Sequence, residues 1–149
     1  GKHVSWLPSY GPEMRGGTAN CSVIVSDEDV ASPLVDKADA VVAMNLPSLD
    51  KFEQSVKPGG VLVINSSIIE RKSTRDDITV VYCDAMRLAE EVGNPKGANV
   101  AILGALLEKM PIVSVDKMME AIRIELGERK LRFLEGNKKA LIAGMEAAK

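Results

Sequence analysis

Residues 39–65 read DAVVAMNLPSLDKFEQSVKPGGVLVIN, and this stretch decides the fold class. It opens with a short unbroken apolar run, Asp39-Ala40-Val41-Val42-Ala43-Met44, and closes with a second, Val61-Leu62-Val63-Ile64. Unbroken β-branched runs of this length suit strands covered on both faces. Between them Leu49, Phe52 and Val56 recur at i, i+3, i+7, the spacing of one helix face, with Ser48 as the expected N-cap. Pro58-Gly59-Gly60 is expected to stop that helix before the second strand. Strands alternating with helices predict an α/β domain with a largely parallel sheet.

Toward the C-terminus, Ile78-Thr79-Val80-Val81-Tyr82-Cys83 is a third apolar run, and Asp84 is placed to cap a helix over 85–92, ended by Gly93-Asn94-Pro95. The last third is helical. Residues 96–110 carry Val100, Leu103, Leu107 and Met110 on one stripe, beside Ala101, Gly104 and Ala105, which are small enough to admit another backbone. Ser114 is expected to cap a helix with Val115, Met118, Met119, Ile122 and Leu126 on one face, ending at Gly127. A third helix is expected over 128–147, with Leu131, Leu134, Leu141 and Met145 inward. The methionines read as core filler.

Toward the N-terminus, His3-Val4-Ser5-Trp6-Leu7 reads as a short strand closed by Pro8. Residues 8–17 are a Pro- and Gly-rich loop. Thr18–Ser26 alternates, with Ala19, Cys21, Val23 and Val25 on the side expected to face the interior and Ile24 alone breaking the polar side. A strand–loop–strand opening is unusual for a doubly wound domain, which normally begins with a strand and a crossover helix.

The 149 residues suit one domain spanning 1–149. Hydrophobic residues at 46% and charged residues at 27% are the balance of a soluble globular protein. A net charge of −2 and 3% aromatic residues argue against a nucleic-acid or anionic-membrane partner. No apolar run reaches the roughly 18 residues of a membrane span, and no signal peptide opens the chain, so a cytoplasmic location is expected. Cys21 and Cys83 are the whole cysteine supply and are expected to be buried, reduced core thiols. Two cysteines cannot hold a four-cysteine iron–sulfur cluster, and His3 alone makes no zinc site. Dinucleotide and P-loop glycine motifs are absent, as is any Ser/His/Asp set.

The residues with most chemistry sit in the loop 8–17. Tyr10, Glu13 and Arg15 place a phenol, a carboxylate and a guanidinium within six positions, and Gly16-Gly17 can expose backbone N–H groups to an anion. The alternative is a surface turn in which Glu13 simply pairs with Arg15. Asn45 and Asn65 each follow an apolar strand. In an open α/β sheet the carboxyl ends of the strands are where ligands bind, so these two, with Pro47, Ser66 and Ser67, fall in the expected place. The alternative is that both form Asx turns that launch the next element. Asn94 reads as a turn residue before Pro95, and Asn99 lies too far into its helix to cap it.

The segment Ser9-Tyr10-Gly11-Pro12-Glu13-Met14-Arg15-Gly16-Gly17-Thr18-Ala19-Asn20-Cys21 resembles the signature loop and strand of gamma subunits of 2-oxoacid:ferredoxin oxidoreductases, of the pyruvate and 2-oxoglutarate type. The resemblance continues through Ala43–Phe52, Lys57-Pro58-Gly59-Gly60 and Val63–Ser67, and resumes at Asn94, Lys96, Ala98-Asn99 and Leu103–Leu106. It implies a three-layer Rossmann-like domain. Members of the family usually open with a strand, a G-x-G-G-Q-G turn and a helix. This chain starts at about the end of that helix, so those first elements are expected to be missing from the sequence in hand.

The resemblance also implies a reaction: a 2-oxoacid, coenzyme A and oxidised ferredoxin give an acyl-CoA, carbon dioxide and reduced ferredoxin. Thiamine diphosphate, Mg and iron–sulfur clusters are then expected on partner subunits (alpha, beta, with delta as a further candidate), ferredoxin is reached through the complex, and this chain holds no cofactor of its own. In single-chain relatives the similar domain helps bind coenzyme A and closes over the active site. By that likeness Tyr10, Glu13, Arg15, Gly16, Gly17, Asn20, Asn45 and Asn65 are the expected contacts to coenzyme A or a partner subunit, and no catalytic residue is expected in the chain. The stretch Ala43–Ser48 leans toward 2-oxoglutarate or a general 2-oxoacid. Two other readings stay open: a stand-alone nucleotide-binding or regulatory α/β module, and a purely structural subunit.

Overall fold

The computed structural model describes residues 1–10 and 19–149, with the side chain of Tyr10 left aside. The described chain divides into two compact units, residues 1–38 and 39–149.

The first unit is a two-stranded antiparallel ribbon. Strand β1, His3–Tyr10, pairs with β2, Ala19–Ser26, so that Val4 faces Val25, Trp6 faces Val23 and Pro8 faces Cys21. β1 continues through Pro8, where a stop was expected. A two-stranded ribbon has an unpaired side on each strand, and there a residue without an N–H costs no ladder bond. The predicted alternation of β2 is present, but its sense is reversed. Asn20, Ser22, Ile24 and Ser26 are the half-covered side, while Cys21, Val23 and Val25 are exposed. With Val4 69% and Trp6 66% exposed, the ribbon carries one open apolar face. The expectation of a buried Cys21 is therefore corrected.

The second unit holds a three-stranded sheet of order β3-β4-β5, built from Ala38–Ala43, Val56–Asn65 and Thr79–Cys83. β4 and β5 run parallel, with Val61 beside Thr79 and Asn65 beside Cys83. β4 explains why its sequence is apolar without alternation. Val61 and Val63 point into one core with Val81, Cys83, Leu88, Ala101 and Ala105, whereas Leu62 and Ile64 point into another with Ala43, Leu49 and Ile69. Each buried Val, Leu or Ile side chain among them contributes roughly 1.5–3 kcal/mol by leaving water. Helices α2, Ala85–Glu91, α3, Ala98–Lys109, and α5, Leu134–Ala147, belong to the first core; α1, Leu46–Phe52, covers the second. This is the three-layer Rossmann-like arrangement with a helical C-terminal third.

Several boundaries differ from expectation. α1 is capped three residues before the expected position. Asn45, not Ser48, is the N-cap, its side chain accepting from the Ser48 N–H at 3.0 Å. Pro58-Gly59-Gly60 does not separate helix from strand but lies inside β4. Gly59 has φ 78, and a Cβ on Gly60 would stand 2.7 Å from the Asp39 carbonyl, so the pair lets two backbones close on each other. Asp84 occupies the N-cap position of α2 without bonding to a helix N–H. That bond comes from Ser67, whose Oγ accepts from the Met86 N–H at 2.9 Å and donates to Asp84 Oδ1 at 2.7 Å. Residues 128–133 form a tighter 3-10 segment, Glu128–Phe133, before α5. Helix α4, Val115–Leu126, is capped by Ser114 and ends at Gly127 with φ 62, as expected.

On α3 the deepest positions are the small ones. Ala101, Gly104 and Ala105 are buried with Ile102 and Leu107, while Val100 and Leu103 of the expected stripe are only partly covered. α3 and α5 touch backbone to backbone. A Cβ on Gly104 would lie 2.0 Å from the Leu141 carbonyl oxygen, and one on Gly144 1.8 Å from that of Ala101.

Candidate functional site

The carboxyl ends of β3, β4 and β5 meet in a bonded arc of polar residues. Asn65, the last residue of β4, is 2% exposed. Its Nδ2 donates to the Met44 carbonyl at 3.4 Å, a long bond, and its Oδ1 accepts from the Ser67 N–H at 3.3 Å. The Ser66 N–H donates to the Cys83 carbonyl at 2.9 Å, and Ser67 then reaches Asp84 and the start of α2. The Ser67 hydrogen bond, followed by those of Arg87, holds the Asp84 carboxyl below the usual carboxylate range against the opposing effect of burial. Exposed apolar side chains fringe the arc: Met44 and Leu46 after β3, Ile68 after β4, Met86 at the start of α2.

Asn45 and Asn65 are thus brought to one sheet edge, as expected, and both are engaged in local turns: Asn45 as a helix cap and Asn65 as an Asx turn. Asn20 lies on the half-covered side of β2, paired with Ser9. Glu13, Arg15, Gly16 and Gly17, with the side chain of Tyr10, lie outside the described residues. Ser67 and Asp84 form a hydroxyl–carboxylate pair, but no histidine completes a nucleophile–base set. His3 pairs with Asp29 at 2.8 Å on the ribbon. Among the described residues no group of three His, Cys, Asp or Glu side chains could hold a metal ion, and no helix is long and apolar enough to cross a membrane. Burial pushes the Cys83 thiol up to about 11, with the Asp84 charge acting in the same direction. That leaves it a core group and not a nucleophile.

Two features escaped the sequence reading. One is a buried clamp around Glu53, which is 4% exposed. Its carboxylate accepts from Ser73 Oγ at 2.7 Å, the Thr74 N–H at 2.9 Å and Arg71 at 3.0 Å. Arg71 Nε lies 3.1 Å from Asp50 without hydrogen-bond alignment. Arg75 braces the same corner, donating to the Glu53 and Val56 carbonyls and gripping Asp77 through two bonds. Burial raises the Glu53 carboxyl pKa, but the bonds from Ser73, Thr74 and Arg71 outweigh it and hold the group below its ordinary value. The second is a cavity of about 650 Å³ walled by α3, α4, the 3-10 segment and α5. Asn94 Nδ2 donates to Asn137 Oδ1 at 3.2 Å on its wall. Asn94, Lys96 and Asn99 stood close together in the sequence, but Asn137 comes 43 positions after Asn94 and nothing local announces it.

The described residues form an α/β domain whose polar groups gather at the carboxyl ends of its strands. The chain belongs to the pyruvate ferredoxin/flavodoxin oxidoreductase family, whose model matches residues 1–147, and within it is of the gamma-subunit type. The ketoisovalerate oxidoreductase subunit VorA of Methanothermobacter marburgensis is 36% identical over 151 residues; the match takes in 100% of this chain and 31% of that subunit. The chain therefore spans about a third of the length of that relative. The solved gamma subunit of the keto/oxoacid ferredoxin oxidoreductase from Geobacter sulfurreducens is 32% identical, with a TM-score of 0.77 over 99% of this chain and 80% of that one. The 2-oxoglutarate:ferredoxin oxidoreductase of Magnetococcus marinus, solved with 2-oxoglutarate, coenzyme A and succinyl-CoA bound, shares the fold, with a TM-score of 0.84 over 99% of this chain and 26% of that one at 21% identity.

Proposed function

We propose that residues 1–149 act as one gamma-type domain of a 2-oxoacid:ferredoxin oxidoreductase, assisting coenzyme A binding and active-site closure while partner subunits hold thiamine diphosphate, Mg and iron–sulfur clusters. The observation that carries this reading is the family match along nearly the whole chain. The chemistry agrees with a division of labour. Two cysteines, one of them buried in the core, cannot hold a cluster, and the sheet edge offers polar groups and apolar fringe without a nucleophile. The ligands of the Magnetococcus protein supply the coenzyme A part of the proposal. In the proposed role Arg15, with the Gly16-Gly17 amides, takes the coenzyme A phosphates, and Glu13 orients Arg15.

The test is Arg15→Ala in the assembled enzyme. Removing one charge-assisted contact is expected to raise the KM for coenzyme A by about ten- to a hundredfold, or roughly 1.5–3 kcal/mol, with the KM for the oxoacid unchanged. An unchanged coenzyme A KM and turnover would remove the role. The engagement of Asn45 and Asn65 in local turns favours a second reading, in which the edge only docks a partner subunit. Asn45→Ala separates the two, because a pure docking edge loses assembly before it loses coenzyme A affinity.

A further inference from the structure

We propose that the cavity between α3, α4, the 3-10 segment and α5 is a binding site for a small amphipathic anion, an apolar body carrying one carboxylate. Its size falls within the few hundred to a thousand Å³ of small-molecule sites. Val100 and Leu103 of α3 face Ile122 and Leu126 of α4 across it and provide an apolar interior. α4 has no fully buried residue, so its inner side chains border this space instead of closing it.

The polar groups are what define the ligand. Among the described residues neither the Lys96 nor the Lys130 ammonium group has a hydrogen-bonding or ion-pairing partner, and the carboxamide of Asn99 is equally unengaged. Asn94 and Asn137 spend one donor and one acceptor on each other, which leaves the Asn137 Nδ2 free to donate. Against these donors stands one carboxylate on the wall, Glu125, also unpaired. Two ammonium groups against one carboxylate leave a single positive charge, matched by one anionic head, and the unengaged carboxamides suit the oxygens of a carboxylate. Lys96 and Lys130 are exposed, so a neutral apolar molecule would gain no attraction from them, and a bare inorganic anion would leave the apolar interior empty.

Sodium octanoate titrated into the isotopically labelled full chain, followed by calorimetry and by amide shifts, tests the proposal. Saturable binding is expected, with shifts confined to α3, α4 and residues 128–137. Affinity should fall with rising salt. The Lys96→Glu/Lys130→Glu variant should weaken binding by about tenfold or more, and 1-octanol should bind wild type about tenfold less tightly, or ~1.4 kcal/mol. Absence of saturable binding, shifts centred elsewhere, or equal affinity for octanoate and octanol overturns the site. The last comparison, and the salt dependence, need only the unmodified chain and so stand even if the charge variant fails to fold.

Discussion

Replacing Gly144 by alanine puts a methyl group where α5 meets the backbone of α3. The added Cβ would stand 1.8 Å from the Ala101 carbonyl oxygen, whereas real Cβ atoms essentially never come within 3.0 Å of a neighbour. The helices must therefore part by about 1.2 Å, the difference between these distances, and the obstacle is backbone that no rotamer change can move. Parting them loosens Ala101, Ala105, Ala140 and Leu141, all fully buried. Overpacking of this kind costs about 3 kcal/mol, the upper part of its usual range, and the better helix propensity of alanine returns about 1. The net loss is about 2 kcal/mol, which for a chain of this size lowers Tm by roughly 4–8 °C. Gly104→Ala meets the Leu141 carbonyl oxygen at 2.0 Å and should behave alike, with a double variant less than additive because both act on one interface. Gly136→Ala is the control, since its Cβ would lie 3.3 Å from a side-chain atom of Asn94 and should change stability by less than about 1 kcal/mol. Urea and thermal unfolding of the four variants measure this. A Gly144→Ala protein as stable as wild type would refute the claim that α3 and α5 touch through their backbones.

Glu53→Gln removes the carboxylate from the buried clamp and should cost about 2–3 kcal/mol at neutral pH, as expected for charge-assisted hydrogen bonds at a partly relieved site. Because the folded-state carboxyl is held below its ordinary value, its contribution is complete above the unfolded-state value and is lost as pH falls through the folded one. Wild type and variant should therefore converge in acid, and a gap that stays constant with pH in urea titrations contradicts this. Native labelling with a thiol reagent should modify exposed Cys21 quickly and leave Cys83, pushed up to about 11, untouched until denaturant is added; equal labelling rates would dispose of the burial of Cys83.

The α/β architecture was legible because β4 carries a physical signature: an apolar residue at every position from Val61 to Ile64 is what a strand buried on both sides requires. The end of α4 was legible because Ser114 and Gly127 act through bonds and dihedrals that belong to their own neighbourhood. Where the sequence misled on helix starts, another residue made the cap, a near neighbour in one case and a distant one in the other. Ser48 resembles a cap, but Asn45 has the better placed carbonyl oxygen. Asp84 resembles one too, but Ser67, 17 residues earlier, takes its carboxylate and supplies the capping oxygen itself. The alternation of β2 was visible, but alternation alone does not say which side is covered, and Cys21 fell on the open side. The Glu53 clamp joins residues 18 or more positions apart and the cavity wall pairs Asn94 with Asn137, 43 positions on, and no local pattern encodes them.

The central claim is that this chain works by lending a binding surface to partners that carry the redox chemistry. Its most direct measurement is ferredoxin reduction by the complex isolated through a tag on this chain, with pyruvate, 2-oxoglutarate and a branched-chain 2-oxoacid each supplied with and without coenzyme A. The account predicts coenzyme A-dependent reduction with at least one oxoacid in the complex and none by the purified chain alone. A chain that purifies without thiamine- and cluster-bearing partners, or that reduces an acceptor by itself, would contradict it.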